Sequence, residues 1–189
     1  MNNYPFSFNY NSQIAQDSLE VRLSFYENVG FFIEIAQMLE YNLRKLICYE
    51  RSVKEIEKGN LTKDNVEKIC NHYDQYFKRT FEKKWALGKL KEELKEQSSF
   101  PPSMFEIFDE IQNYRNFLVH KIFQINIKTN NLSSADTVQK YLQSRLIPMT
   151  NKALATNDLI IKTIHLYQSD LHAYKKQVGI PLPDDESPS

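Results

Sequence analysis

Between Ser18 and Arg51 the apolar residues Phe31, Ile35, Met38, Leu39, Leu43, Leu46 and Ile47 recur at three- and four-residue spacing, and no proline interrupts them. That period builds one continuous apolar face on a long α-helix, and the rest of the chain has to supply the surfaces that cover it. The whole sequence holds only four glycines and seven prolines. The prolines gather at edges, at Pro5, Pro101, Pro102, Pro148, Pro181, Pro183 and Pro188, so the segments between them read as helical.

A break at KGNLTKDN follows the first helix, with Thr62 as the N-cap of a second that carries Val66, Ile69, Tyr73 and Phe77 on one side. A third, shorter helix runs through ALGKLKEELKEQ until SSFPP, where a residue before proline is pushed out of the helical region. Ser103 and Glu106 fit a capping box and predict a fourth helix from there to about Gln124. After KTNNLSS, Ser133 and Asp136 open a fifth, which Pro148 bends or interrupts before it resumes to about Val178 and stops at Gly179. No alternating strand of useful length occurs, and no segment repeats. The expected architecture is all-α, a bundle of about five helices with a long first helix and flexible tails. Residues 1–15 read as an extended arm with Tyr4, Phe6, Phe8 and Tyr10 alternating along it; 16–178 read as a single bundle domain, and 179–189 as a disordered tail. The arm's aromatic side would pack on its own bundle or reach a partner subunit.

With 24 Lys plus Arg against 24 Asp plus Glu, the chain has no overall charge with which to attract nucleic acid or an anionic membrane. Any anion must be held locally. The opening MNNYPFSFNYN lacks a basic region followed by an apolar run, and no segment approaches the 18 or so apolar residues of a membrane span, so a cytoplasmic location is expected. Cys48 and Cys70 stand alone, without a C-x-x-C pairing, and read as small core residues.

The fourth helix carries the one arrangement that a core helix does not explain. Projected at about 100° per residue, Phe108, Ile111, Leu118 and Ile122 fall within roughly 60° of Arg115, while His120 lies about 140° away, one turn above Asn116. A guanidinium at the centre of an apolar stripe cannot shed its proton, so an anion or several acceptors must meet it. A carboxylate of the first helix, Glu34 or Glu40, would make this a structural bridge. Alternatively the stripe ends in a cleft or dimer interface where Arg115 binds phosphate and His120 moves protons.

The run RNFLVH resembles the R-x-x-x-x-H signature of the HEPN superfamily, with Asn116 directly after the arginine as is common there. The flanking ALGKLKEELKEQ and EIFDEIQNYRNFLVHKIF, and a first helix such as FFIEIAQMLEYNLRKLI, are similar to many bacterial members, over roughly residues 20–170. The resemblance implies an all-α bundle that forms a homodimer with the signature helices facing each other. It also implies metal-independent ribonuclease activity, in many members that of a toxin or phage-defence effector paired with a protein antitoxin or regulator. By it Arg115, Asn116 and His120 are the catalytic residues of a composite site, flanked by Tyr114 and Lys121 as substrate-binding residues, with RNA as substrate and no cofactor. Members silenced by nucleotidyl transfer carry a tyrosine two residues after the signature histidine, where this chain has Ile122.

Such chemistry needs no metal, because RNA brings its own 2′-hydroxyl nucleophile and the protein has only to move protons and stabilise the phosphorane. His165 and His172 lack the H-x-x-x-H spacing of a zinc helix, and Lys78, Arg79, Lys83, Lys84 and Lys89 are interspersed with glutamates as on a solvated face. Two readings stay open: a homodimeric endoribonuclease, and a non-catalytic dimer whose same residues bind RNA, a nucleotide or a protein.

Overall fold

The computed structural model describes residues 13–83, 86–96, 100–120 and 135–182. Residues 1–12 of the segment expected to be an extended arm, Lys121, Ile122 and the expected end of the fourth helix near Gln124 lie outside them, as do residues 183–189 of the expected tail, whereas residues 13–15, expected in the arm, already belong to the first helix. Every described element is helical: α1 (Gln13–Lys58), α2 (Lys63–Glu82), α3 (Leu87–Lys95), α4 (Pro102–His120), α5 (Ala135–Tyr141), one π-helical turn (Leu142–Leu146) and α6 (Ile147–Gln177). The described residues contain no strand.

The long first helix extends about two turns past the apolar run that predicts it. It closes where the Gly59 N–H reaches back to the carbonyls of Glu55 and Ile56 at 3.1 and 3.2 Å. A side chain at Gly59 would come within 2.8 Å of Asn65 Nδ2 and 3.3 Å of the Glu55 carbonyl, so it would push the Asn65 amide away from the Asn60 carbonyl to which it donates at 2.9 Å. Thr62 is the N-cap, its hydroxyl accepting from the Asn65 N–H at 3.4 Å, a contact of the kind that contributes about 1 kcal/mol.

α4 starts one residue before the capping box predicts. Pro102 takes the first helical position, where its missing N–H costs nothing and its fixed φ suits the helix, and the Pro101 carbonyl accepts from the Met104 N–H at 2.9 Å. Ser103 is therefore already inside the helix. Pro148 acts as an interruption of a particular kind: the turn before it is π-helical, with the Ile147 N–H bonded to the Leu142 carbonyl. One wide turn lets the helix pass a residue that has no N–H to donate and whose ring crowds the preceding turn. At the far end Gly179 takes φ +72°, its N–H bonds to the Lys176 carbonyl at 3.1 Å, and Ile180 N–H bonds to the Lys175 carbonyl at 2.9 Å. These are the paired bonds of a Schellman motif, with Ile180 packed against the apolar cluster beside it.

The chain divides into two compact units, one taking in residues up to Ala36 and Asn113–Leu154, the other Gln37–Gln112 and the residues from Ala155 on. In the second unit, α1 buries Leu39, Leu43, Leu46, Val53 and Ile56, and α2 adds Val66 and Ile69. α3 contributes Leu87, Leu90 and Leu94, and α4 contributes Phe105, Phe108 and Ile111. Polar ties fix the helices: Asn42 Nδ2 donates to Asn157 Oδ1 at 2.8 Å, Arg51 pairs with Glu93 at 2.7 Å, and Lys91 pairs with Asp109. The first unit is the smaller. Its core holds Phe25, Val29, Phe32 and Ile35 of α1, Leu118 of α4, and Val138, Leu142 and Leu146 around the π-helical turn.

Candidate functional site

The last two turns of α4 belong to the first unit and hold every described residue of the R-N-x-x-x-H run. Within those turns the surroundings differ sharply by helix face. Leu118 is fully buried, Tyr114, Arg115 and Phe117 are half-buried, and Asn113, Asn116, Val119 and His120 are exposed. The spacing explains this division: 113, 116 and 120 are three and four residues apart and share one face, whereas 114 and 118 share another.

Asn116 and His120 are thus brought together, one turn apart, on the exposed side of the helix end. Arg115 sits at the flank, between that side and the buried stripe. Its half-buried state suits a residue whose aliphatic stem covers apolar surface while the guanidinium reaches the edge. From Arg115 to His120 the helix rises about 7.5 Å and turns about 140°, so the two do not point at one spot within a single chain. Of the first-helix carboxylates considered as partners, Glu34 is exposed, and Glu40 is buried with a carboxylate oxygen accepting from the Leu87 N–H at 3.0 Å.

Tyr114 has a different setting. Its hydroxyl donates to the Tyr141 hydroxyl at 3.0 Å, and its ring meets Phe32 edge-on with centroids 5.2 Å apart. Phe117 stacks on it at 6.2 Å, and Tyr141 in turn meets Phe25 edge-on at 6.1 Å. Burial, reinforced by the hydrogen bond to Tyr141, pushes the Tyr114 phenol far above its ordinary range, and the positive charge of Arg145 opposes this only in part. Tyr114 is a neutral donor locked into an aromatic cluster and orients the helix that carries Arg115 and His120. The sequence shows no sign of the Tyr114–Tyr141 pair or of Arg145 beside it, because 27 positions separate the two tyrosines and no motif links them.

Val119, 44 % exposed next to His120, leaves an apolar side chain beside the polar pair. Elsewhere in this unit Leu23, Tyr26 and Phe31 of α1 are also about half exposed. Among the described residues no group of three or more His, Cys, Asp or Glu side chains is placed to hold a metal ion. No described helix is long and apolar enough to cross a membrane. Comparisons with family models, with curated proteins and with solved structures find no match for this chain.

Proposed function

We propose that the protein is a metal-independent endoribonuclease of the HEPN kind, acting as a homodimer with a composite site built from the ends of two α4 helices. The observation that carries this reading is the placement of Asn116 and His120 side by side on the exposed end of α4 with Arg115 at the flank. One helix end offers a proton carrier and an amide toward solvent but turns the guanidinium aside; a second copy related by a twofold axis supplies another set from the opposite direction. The exposed Val119 adds apolar surface beside the pair.

In this reaction the RNA 2′-oxygen attacks the adjacent phosphorus, the P–O5′ bond breaks, and the products are a 2′,3′-cyclic phosphate and a 5′-hydroxyl. One His120 takes the 2′-hydroxyl proton and the partner subunit's His120 protonates the leaving 5′-oxygen. Arg115 holds the phosphate oxygens as negative charge grows on the phosphorane, its planar fork matching two of them, and Asn116 donates to the same group. DNA lacks the attacking hydroxyl and is not cut. A toxin or defence role, with a protein regulator, follows from the same reading.

The test is incubation of a mixed RNA pool with the folded protein in EDTA, comparing wild type, Arg115→Ala and His120→Ala and reading the product ends. Cleavage to cyclic-phosphate ends, lost in both variants, is the expected result. The equal numbers of basic and acidic residues favour a second reading, a non-catalytic dimer that binds RNA, a nucleotide or a protein through the same residues. Absence of cleavage by a folded dimer, with RNA or nucleotide binding weakened by Arg115→Ala, would establish that second reading instead.

A further inference from the structure

We propose that a hollow of about 240 Å³ between α1, α2 and α6 in the second unit is a binding site for a small aromatic carboxylate. α1 lines it with Lys45, Cys48, Tyr49 and Ser52, and α2 lines it with Cys70, Tyr73, Asp74 and Phe77. Both sets have the spacing i, i+3, i+4, i+7, so each is one stripe of its helix, and the two stripes face a common space. Leu171, His172 and Lys175 of α6 complete the wall.

The hollow exists because three of the inward positions are small. Cys48, Ser52 and Cys70 stand where leucine or isoleucine would fill the space, within an apolar cluster that otherwise packs Val53, Ile56, Val66 and Ile69 closely. The hollow opens to solvent at Asp74 and His172, while its inner wall is buried at Cys48, Ser52, Tyr73 and Leu171. A dry cavity of about 150 Å³ accepts benzene, so this one has room for a ring with a carboxylate attached, or for two fused rings.

The lining sets the chemistry of the occupant. Tyr49, Tyr73 and Phe77 offer flat apolar faces, and the two cysteine sulfurs add polarisable surface that suits an aromatic edge. The lining hydroxyls are already engaged: Ser52 donates to the Cys48 carbonyl at 2.8 Å, Tyr73 donates to Glu55 at 2.8 Å, and Tyr49 accepts from Gln168 Nε2 at 3.0 Å. A ligand therefore meets its polar partners among the charged residues, where Lys45 and Lys175 outnumber Asp74 and leave a positive balance for an anion. Lys45 is held with its ammonium 4.9 Å from the Tyr41 ring centroid, which limits the positions its charge can take. Burial raises the Cys70 thiol, Lys175 opposes that rise and the smaller effects of Asp74 and Glu67 add to it, so the lysine is the strongest charge acting at this part of the wall.

The experiment uses the full chain and ligand-observed NMR, with benzoate and indole-3-acetate as probes and benzyl alcohol, benzylamine and acetate as controls. Both aromatic carboxylates are expected to bind saturably and to slow the reaction of Cys70 with N-ethylmaleimide over the same concentration range. The two uncharged or cationic ring controls should bind about tenfold more weakly, and acetate not at all. Cys70→Leu fills the hollow and should abolish binding; Lys175→Gln, a change at the rim, should weaken it several-fold while leaving the circular dichroism spectrum unchanged. No saturation by either aromatic carboxylate up to about 10 mM would overturn the proposal. So would unaltered binding by a folded Cys70→Leu protein, or tighter binding of benzylamine than of benzoate.

Discussion

The carboxylate of Glu40, in the middle of α1, accepts a hydrogen bond at 3.0 Å from the backbone N–H of Leu87, the first residue of α3. Ala86 occupies the N-cap position of α3 and has no side-chain oxygen to offer, so the long helix supplies the negative group that a short helix needs at its start. The same carboxylate opposes the effect of burial on Arg44, whose guanidinium burial alone draws downward from its ordinary value. One buried acid thus serves both a helix end and a buried base.

Removing that acid should be costly. Glu40→Ala strands the Leu87 N–H and removes the charge facing Arg44, and the expected loss is about 2–4 kcal/mol of unfolding free energy. Glu40→Gln keeps an acceptor of the same reach and should cost less than half as much. Urea unfolding of the three proteins checks the order, and equal losses for Ala and Gln would show that the hydrogen bond to α3 contributes little.

Two half-buried phenols and one buried thiol make stability fall at alkaline pH. Burial raises Tyr76 to about 12 and Cys48 to about 12, and burial with the hydrogen bond to Tyr141 raises Tyr114 further. Because the folded values exceed the unfolded ones, this stability is fully present below the unfolded values and is lost as pH rises toward the folded ones. The melting temperature should therefore hold near about pH 8 and drop steeply past about pH 10, where an unfolded tyrosine ionises. Tyr114→Phe should soften that drop while lowering stability near neutrality by about 1 kcal/mol, the usual worth of a hydrogen bond. A thermal-melt series across pH decides it, and identical alkaline limbs for wild type and variant would remove Tyr114 from the account.

At acid pH the group to watch is Glu93. Burial would raise its carboxyl, but the hydrogen bond and charge of Arg51, with the Tyr76 hydroxyl at 3.2 Å and Lys89, hold it below the ordinary range. The sign is the reverse of the tyrosines: a depressed folded value gives stability present above the unfolded value, lost as pH falls through the folded one. Wild type should lose stability below about pH 4. Glu93→Gln should begin lower and fall less over that interval, as measured by chemical unfolding at a series of acid pH values.

Local chemistry made much of the helical pattern readable. Thr62 caps α2, Pro148 disrupts its helix and Gly179 ends α6 because each acts through its own backbone or side chain within a few residues. Where two local signals competed at Pro102 and Ser103, the proline took the first helical position and the serine cap was not used. Contacts that close through space left no trace: Glu40 and Leu87 are 47 positions apart, and the space beside Cys48 and Cys70 depends on which small residues the packing brings together. At the candidate site the spacing put Asn116 and His120 on one side of the helix, and both are exposed there. It placed Arg115 at the centre of the apolar stripe, where the structure has it half-buried, because a long flexible stem can lie on apolar surface while its charge reaches the edge.

Arg115 separates a phosphate-binding role from a structural one. If the guanidinium grips two phosphate oxygens of the transition state, Arg115→Lys keeps the charge but loses the planar fork, and cleavage should fall by about a hundredfold with stability nearly unchanged. If the residue only balances charge within the helix packing, lysine should restore whatever Arg115→Ala removes, in stability and in activity alike. Measuring single-turnover cleavage in EDTA beside urea unfolding for wild type, Arg115→Lys and Arg115→Ala distinguishes the two. A lysine variant that cleaves as fast as wild type would move the phosphate-binding role to another residue, and Arg145, the cation beside Tyr114 and Tyr141, would be the next to substitute.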